Sequence, residues 1–108
     1  MSSEDAQLFE AQAEFCKSLC HPLRLKIISL LYAGPRNVSE IVNSLGEPQP
    51  VVSRHLALLR EKGVVRAERR GTNVYYYLAY PELEEACRIV RRVIRKMIEE
   101  RAQALQRR

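Results

Sequence analysis

The chain has 108 residues, enough for one small domain with a single hydrophobic core. Apolar residues make up 46% and charged residues 29%, which excludes a disordered chain, and the net charge of +5 favours a polyanionic partner. No apolar run approaches the length that crosses a membrane, and the N-terminus does not resemble a signal peptide. Three cysteines without a disulfide spacing favour a reducing compartment. We therefore expect a cytoplasmic protein with one domain over residues 1–108.

Two helices are predicted at the start of the chain. Apolar residues at helical spacing predict an amphipathic helix over residues 4–19. Its apolar face comprises Leu8, Ala11, Phe15 and Leu19. Pro22 suits the first turn of a second helix, and Gly34 with the proline after it ends that helix. Its predicted buried face comprises Leu23, Ile27, Leu30 and Leu31.

The next segment, residues 38–63, has the proportions of a helix-turn-helix. Asn37 and Glu40 have the spacing of a capping box for a short third helix, which Gly46 ends. A longer fourth helix follows the turn and ends at Gly63. This short-then-long pair of helices is typical of DNA-reading domains.

The pattern then changes to that of a β-hairpin over residues 64–79. The segments 64–69 and 74–79 are rich in β-branched and aromatic residues, and the turn between them contains Gly71. A hairpin at this point of the chain forms the wing of a winged helix. We therefore predict a mainly α fold with a small β-hairpin, a winged helix-turn-helix in the order α-α-α-α-β-β-α.

The last predicted helix, over residues 81–105, is longer than one small domain can cover. At 1.5 Å per residue it is about 36 Å long. Its apolar positions, spaced close to a heptad seam, are Leu83, Cys87, Val90, Ile94 and Met97. We therefore expect a homodimer whose interface is formed by residues 4–19 and 81–105. The acidic first helix is expected to neutralise the basic residues of the last helix, although these are also compatible with a DNA-binding arm or a membrane-surface helix.

The fourth helix has a polar N-terminal end and an apolar face, as a helix that enters the major groove requires. Its packing face comprises Val52, Leu56 and Leu59. Gln49 is suited to adenine, and Arg54 is suited to guanine or to phosphate. The tip of the wing offers its arginines to a minor groove or to the backbone. The predicted DNA-contacting residues are Gln49, Pro50, Val51, Ser53, Arg54, Arg69 and Arg70.

Three segments resemble the ArsR/SmtB family of winged-helix repressors. They are HPLRLKIISLL from residue 21, PQPVVSRHLALLREKGVV from residue 48 and RRGTNVYYYL from residue 69. The resemblance covers residues 15–80 and, by layout, the flanking helices. It implies a dimer joined by its first and last helices, which represses a promoter. It also implies release from DNA by an inducer, often a metal ion.

The sequence departs from the family at its two best-known metal sites. The third helix contains no cysteine, and no histidine follows His55, so both sites lack ligands. Pro50 stands where the family usually has a hydroxyl residue, which leaves one phosphate contact without its usual side chain. We interpret His55 as a structural or phosphate-contacting residue rather than a metal ligand, and His21 as a helix-start residue.

The cysteines are the remaining candidates for an effector site. Cys16 and Cys20 share a helix face if the first helix extends that far, and Cys87 lies on the seam of the last helix. Together they are suited to a thiol-bound metal or metalloid ion, and in pairs to a redox or sulfur switch. The alternative is that each is a small buried apolar residue.

These features favour a sequence-specific repressor that binds a pseudo-palindromic operator in double-stranded DNA. No pair of carboxylates, nucleophile–base set or Gly-rich phosphate loop supports catalysis, so we expect no enzymatic activity. Two alternatives remain open. One is an inducer-independent DNA-architectural protein, and the other is a winged helix used for protein interaction.

Overall fold

The computed structural model describes residues 1–107; Arg108, which belongs to the expected domain, lies outside the described residues. The predicted order of helices and strands is confirmed. In chain order the elements are α1 (Ser3–Leu19), α2 (Pro22–Tyr32), α3 (Val38–Leu45), α4 (Gln49–Glu61), β1 (Val65–Arg70), β2 (Asn73–Leu78) and α5 (Glu82–Gln106).

Capping residues define the start of α2 and both ends of α3. The backbone N–H of Glu40 donates to Oδ1 of Asn37 at 2.9 Å, and the N–H of Asn37 donates to Oε1 of Glu40 at 3.1 Å. Gly46 ends α3 with a φ of 66°, a left-handed conformation that glycine adopts without strain. His21 is the N-cap of α2, since its Nδ1 accepts from the N–H of Leu23 at 3.1 Å, as its interpretation as a helix-start residue predicts.

The hydrophobic core lies around α2, which contacts α3, α4, α5 and β2. The predicted packing face of α4 is buried, namely Val52, Leu56 and Leu59. The predicted face of α2 needs one correction, because Ile28 is fully buried and Leu30 is only partly buried. A helix with neighbours on several sides buries a wider arc than a one-sided amphipathic helix, which explains the difference.

The two strands form an antiparallel hairpin whose register runs from Val65 opposite Leu78 to Arg70 opposite Asn73. The hairpin is held to the domain through Tyr76 in the middle of β2. Its N–H donates to the carbonyl of Arg36 at 2.8 Å, and its carbonyl accepts from the N–H of Arg36 at 3.0 Å. The residues at its tip are exposed. The wing is therefore anchored at one end and open at the other.

Helices α1 and α5 leave most of their apolar residues uncovered. On the predicted face of α1 only Leu19 is buried and Phe15 is half-buried, whereas Leu8 is 69% exposed. On α5 the exposed apolar residues extend beyond the predicted seam and comprise Ile89, Val90, Val93, Ile94, Met97, Ile98 and Leu105. Within residues 1–107, none of the helices is both long and apolar enough to cross a membrane.

Candidate nucleic-acid interface and thiol groove

The N-terminal end of α4 presents most of the predicted DNA-contacting side chains to the outside. Gln49, Pro50, Ser53 and Arg54 are exposed, while the apolar residues between them face the core. Val51 differs from this group, because its side chain is partly buried and packs against the core. Among the described residues, Arg54 takes part in no ion pair, so its guanidinium is available to an external anion.

The two wing arginines, which the sequence treats alike, have different surroundings. Nη2 of Arg70 lies 3.4 Å from Oε2 of Glu68, and its guanidinium lies over the ring of Tyr75, 5.2 Å from the centroid. Arg69 is exposed and belongs to no ion pair within residues 1–107. An exposed ion pair contributes little, but together with the ring contact it holds Arg70 along its own hairpin. Arg69 is consequently the wing arginine that is available to a partner.

His55 lies in the middle of α4 and is only 6% exposed. Its Nδ1 accepts a hydrogen bond from Nε of Arg24 at 3.2 Å, and its ring centroid lies 4.4 Å from that of His21. Burial and the nearby His21 and Arg24 hold the pKa of His55 below its ordinary value. Of the two interpretations made from the sequence, the structure agrees with a structural residue, because a buried ring does not reach a phosphate.

The three cysteines line a single groove between α1 and α5. This thiol groove has a volume of about 270 Å³ and is formed by Cys16, Leu19, Cys20, Leu25, Cys87, Val90, Arg91 and Ile94. The expectation that α1 carries two of the thiols on one face needs a correction. The helix ends at Leu19, and Cys20 is the C-cap, from which Sγ donates to the carbonyl of Cys16 at 3.1 Å.

Cys87 is half-buried in this groove, and the structure describes it and the other two cysteines as free thiols. Burial and the adjacent carboxylate of Glu84 raise the pKa of Cys87, so little thiolate is present at neutral pH. In the part of the chain that the structure describes, no group of three or more His, Cys, Asp or Glu side chains has an arrangement that could hold a metal ion. One protomer therefore brings the thiols together without forming a metal site.

A buried carboxylate beside the groove was missed by the sequence analysis. Glu84 has no exposed surface, and it accepts from Nε of Arg88 at 3.2 Å and from Nη2 of Arg91 at 2.7 Å. These arginines were expected to neutralise α1, but within the protomer they pair with their own helix. Residues that are four and seven positions apart lie on the same face of a helix. The spacing of Glu84 from Arg88 and Arg91 is therefore the sequence signal that could have predicted this cluster.

A second contact joins the start of α5 to α2. The hydroxyl of Tyr32 donates to Oε1 of Glu85 at 3.1 Å, and the guanidinium of Arg88 lies 4.3 Å from the centroid of the Tyr32 ring. The phenol's pKa is raised, because its hydroxyl donates to the Glu85 carboxylate, which favours the protonated form. The helix that carries Cys87 is therefore fixed to the body of the domain at its N-terminal end.

A short helix, a longer helix with an exposed polar N-terminal end and an adjacent open hairpin define a winged helix-turn-helix regulator. Residues 21–67 match the family described as "Bacterial regulatory protein, arsR family", and the chain belongs to this family. The HTH-type transcriptional regulator Rv0081 of Mycobacterium tuberculosis (strain ATCC 25618 / H37Rv) is 35% identical over 104 residues, which cover 95% of this chain and 91% of that protein.

Solved structures of relatives have the same architecture. The crystal structure of M. tuberculosis Rv0081 has a TM-score of 0.78 at 34% identity, over 88% of this chain and 96% of that one. The transcriptional repressor BigR from Xylella fastidiosa has a TM-score of 0.72 at 31% identity, over 83% of this chain and 96% of that one. The homodimeric winged helix-turn-helix DNA-binding domain Mb0332 from Mycobacterium bovis has a TM-score of 0.75 at 31% identity, over 93% of each chain. The family resemblance is thus confirmed, and with it transcription regulation rather than catalysis.

Proposed function

We propose that the chain is a homodimeric repressor that binds a pseudo-palindromic operator through α4 and the wing. The observation that carries this proposal is the exposed polar end of α4, formed by Gln49, Ser53 and Arg54, on a helix whose opposite face is buried. The names of relatives, among them a transcriptional repressor and a homodimeric DNA-binding domain, support repression and dimerisation. The proposal includes a cytoplasmic location, which is the usual setting of such DNA-binding regulators.

The apolar surface of α1 and α5 supports the homodimer. Ile94, Met97, Ile98 and Leu105 line a second groove of about 330 Å³ on the C-terminal half of α5. A contiguous exposed apolar surface of this kind marks an interface. A two-fold axis would relate the two copies of α4 to each other, and a palindromic operator mirrors such symmetry.

We further propose that an inducer acts on the thiols of the thiol groove. A signal must change the spacing of the two α4 helices, and this spacing depends on how α1 and α5 pack. A bond between Cys87 on α5 and Cys16 or Cys20 at the end of α1 would act on that packing directly. The inducers that could form such a bond are a soft metal or metalloid ion and a thiol oxidant. Coupling between an effector site and a DNA-binding site typically changes the affinity for the operator about 5- to 150-fold.

The first experiment tests operator binding. The purified chain selects fragments from a random DNA library, and the affinity for the selected fragment is compared with that for an unrelated fragment over a range of salt concentrations. We expect a salt-dependent affinity, stronger for the selected fragment, and a two-fold pattern in its sequence. Equal affinity for both fragments would favour the architectural alternative, and salt-independent or absent binding would favour the protein-interaction alternative.

The second experiment tests the thiol groove. The selected fragment is bound by the parent and by Cys87→Ser, and each complex is titrated with Zn²⁺, arsenite and a polysulfide. We expect at least one reagent to release the parent but not the variant. Ala86→Ser, a change at the exposed neighbouring position of α5, is the matched control and should respond like the parent. Release of the parent and of Cys87→Ser to the same extent would reject a role for this thiol.

A further inference from the structure

The guanidinium of Arg24 joins three helices that are separate in the chain. Its Nη1 donates to the carbonyl of Ser18 at 2.7 Å, in the last turn of α1, and its Nε donates to Nδ1 of His55 at 3.2 Å, on α4. Arg24 itself lies in the first turn of α2 and is partly buried. Planar guanidinium groups keep their donors in a rigid fork, so this side chain fixes the direction of both contacts.

The contact with α4 depends on the protonation state of His55. An imidazole accepts a hydrogen bond only at an unprotonated ring nitrogen, and Arg24 has donors only and does not lose its proton. The neutral ring with its proton on Nε2 is therefore the form that bonds to Arg24, a tautomer that we assign from this contact. A protonated ring would replace the bond with two cations at 3.2 Å.

The surroundings of His55 add to this dependence. The titratable and charged groups that act on it are His21 at the start of α2, Arg24, Arg54 on α4 and Glu47 in the turn before α4. Glu47 alone favours the protonated ring. With 6% exposure, the ring has little water to compensate for a charge.

We propose that Arg24 is a positioning residue for DNA binding, which fixes α4 against α1 and α2 through His55 only while that histidine is neutral. Acidification then weakens operator binding. The inference rests on the proposed role of α4 as the recognition helix. His55 follows Arg54 directly in the chain, so a shift of the ring displaces the side chains that would contact the bases.

The sign of this effect separates it from ordinary electrostatics. Protonation of a histidine adds a positive charge, which by itself strengthens binding to a polyanion. Histidine is the side chain whose charge ordinarily changes between neutral and mildly acidic pH, and the chain contains two histidines. A loss of affinity on acidification therefore points to the loss of a contact inside the protein.

The test measures the affinity for the selected fragment from about pH 7.5 to about pH 5 at constant ionic strength. We expect the affinity of the parent to fall about tenfold, which is the scale of the loss of one hydrogen bond to a charged group. His55→Asn places an amide oxygen near the position of Nδ1 and does not titrate, so this variant should not lose affinity over this range. His21→Asn is the matched control, because asparagine also caps a helix and His55 remains. This variant should also lose affinity on acidification, and at a slightly higher pH than the parent, because one group that holds the pKa of His55 down is removed.

Further measurements keep a loss of folding apart from a loss of positioning. Imidazole nitrogen chemical shifts from NMR should place the lone pair of neutral His55 on Nδ1, and Arg24→Gln should weaken binding at neutral pH while the melting curve remains cooperative. Parent affinity that is constant or rises on acidification would overturn the inference, as would the same loss in His55→Asn. If the parent binds no DNA at neutral pH, the proposed function is rejected as well. If the parent binds DNA with an affinity that does not change with pH, only the role of Arg24 is rejected.

Discussion

Nη2 of Arg91 lies 2.7 Å from Oε2 of Glu84, a carboxylate with no exposed surface. The arginine is itself 37% exposed, so the pair joins a fully desolvated anion to a partly solvated cation. Arg88 supplies the second contact, with its Nε 3.2 Å from the same oxygen. Glu84 depends on these two guanidinium groups because it has no access to water. The start of α5 and one wall of the thiol groove are therefore held by one ionic cluster.

Removal of Arg91 should destabilise the fold, because it leaves Glu84 buried with a single ionic partner. We expect Arg91→Met to lower the free energy of unfolding by about 2 kcal/mol, measured by urea denaturation. Arg92→Met, at an exposed neighbouring position of α5, is the control and should change it by less than about 0.5 kcal/mol. Equal effects of the two substitutions would show that the cluster contributes nothing to stability.

The homodimer should dissociate when a charge is placed on the apolar surface of α5. Ile98 is 62% exposed in the protomer and lines the C-terminal groove, away from the thiols. We expect Ile98→Glu to weaken the dimer by about 3 kcal/mol, or about a hundredfold, because the new carboxylate loses water without gaining a partner. Sedimentation equilibrium measures this against the monomer mass of 12.5 kDa. Lys96→Glu, on exposed surface of the same helix, should remain dimeric; a parent that is a monomer at micromolar concentration would contradict the proposal.

The residues of α4 and of the wing should differ in what they contribute to DNA binding. Gln49→Ala and Arg54→Ala should each cost about 1–3 kcal/mol and relax the preference at one base position. Arg69→Ala should weaken specific and nonspecific binding alike, and more than Arg70→Ala, because Arg70 is engaged by its own hairpin.

The measurement is a titration against a set of variants of the selected fragment. Arg60→Ala changes an exposed arginine at the other end of α4 and is the matched control. If Arg60→Ala and Arg54→Ala lowered the DNA affinity equally, binding would depend on the overall charge of α4 and not on the residues at its N-terminal end.

Stability should decrease on acidification because of His55. Its pKa in the folded chain is below the ordinary value of 6.5, whereas the unfolded chain has that ordinary value. Between the two pKa values the unfolded chain binds more protons, so the free energy of unfolding falls as the pH drops below about 6.5 and levels off below the folded pKa. We expect the free energy of unfolding, measured by urea denaturation at each pH, to change less steeply with pH in His55→Asn than in the parent. The same pH dependence in both proteins would assign it to other groups.

Cys87 should react more slowly with alkylating reagents than the two exposed cysteines. Burial and Glu84 raise its pKa, so its thiolate fraction at neutral pH is small. Mass spectrometry after brief iodoacetamide treatment should find Cys16 and Cys20 modified first, and the Cys87 rate should increase with pH. Glu84→Gln removes one cause of the raised pKa and should accelerate that reaction. A Cys87 rate equal to that of Cys16 would show that neither burial nor the carboxylate protects it.

Residues close together in the chain determined what could be predicted from the sequence alone. The capping box of Asn37 and Glu40, the turn at Gly71 and the alternation of polar and apolar residues on α4 all depend on spacings of a few residues. Such spacings establish which helices and strands form and which face of α4 is buried, because helix and strand geometry relates neighbours in a regular way. The family resemblance rests on the same short segments.

Only the tertiary structure decided which distant side chains meet. Arg24 and His55 are 31 residues apart, and Tyr32 and Glu85 are 53 apart, so no local pattern predicts either hydrogen bond. The packing of α5 on α2 also buries Glu84 at the edge of the groove that Cys87 shares with Cys16 and Cys20. A side chain's charge state and partners depend on its burial, and burial is a property of the packed molecule rather than of chain position.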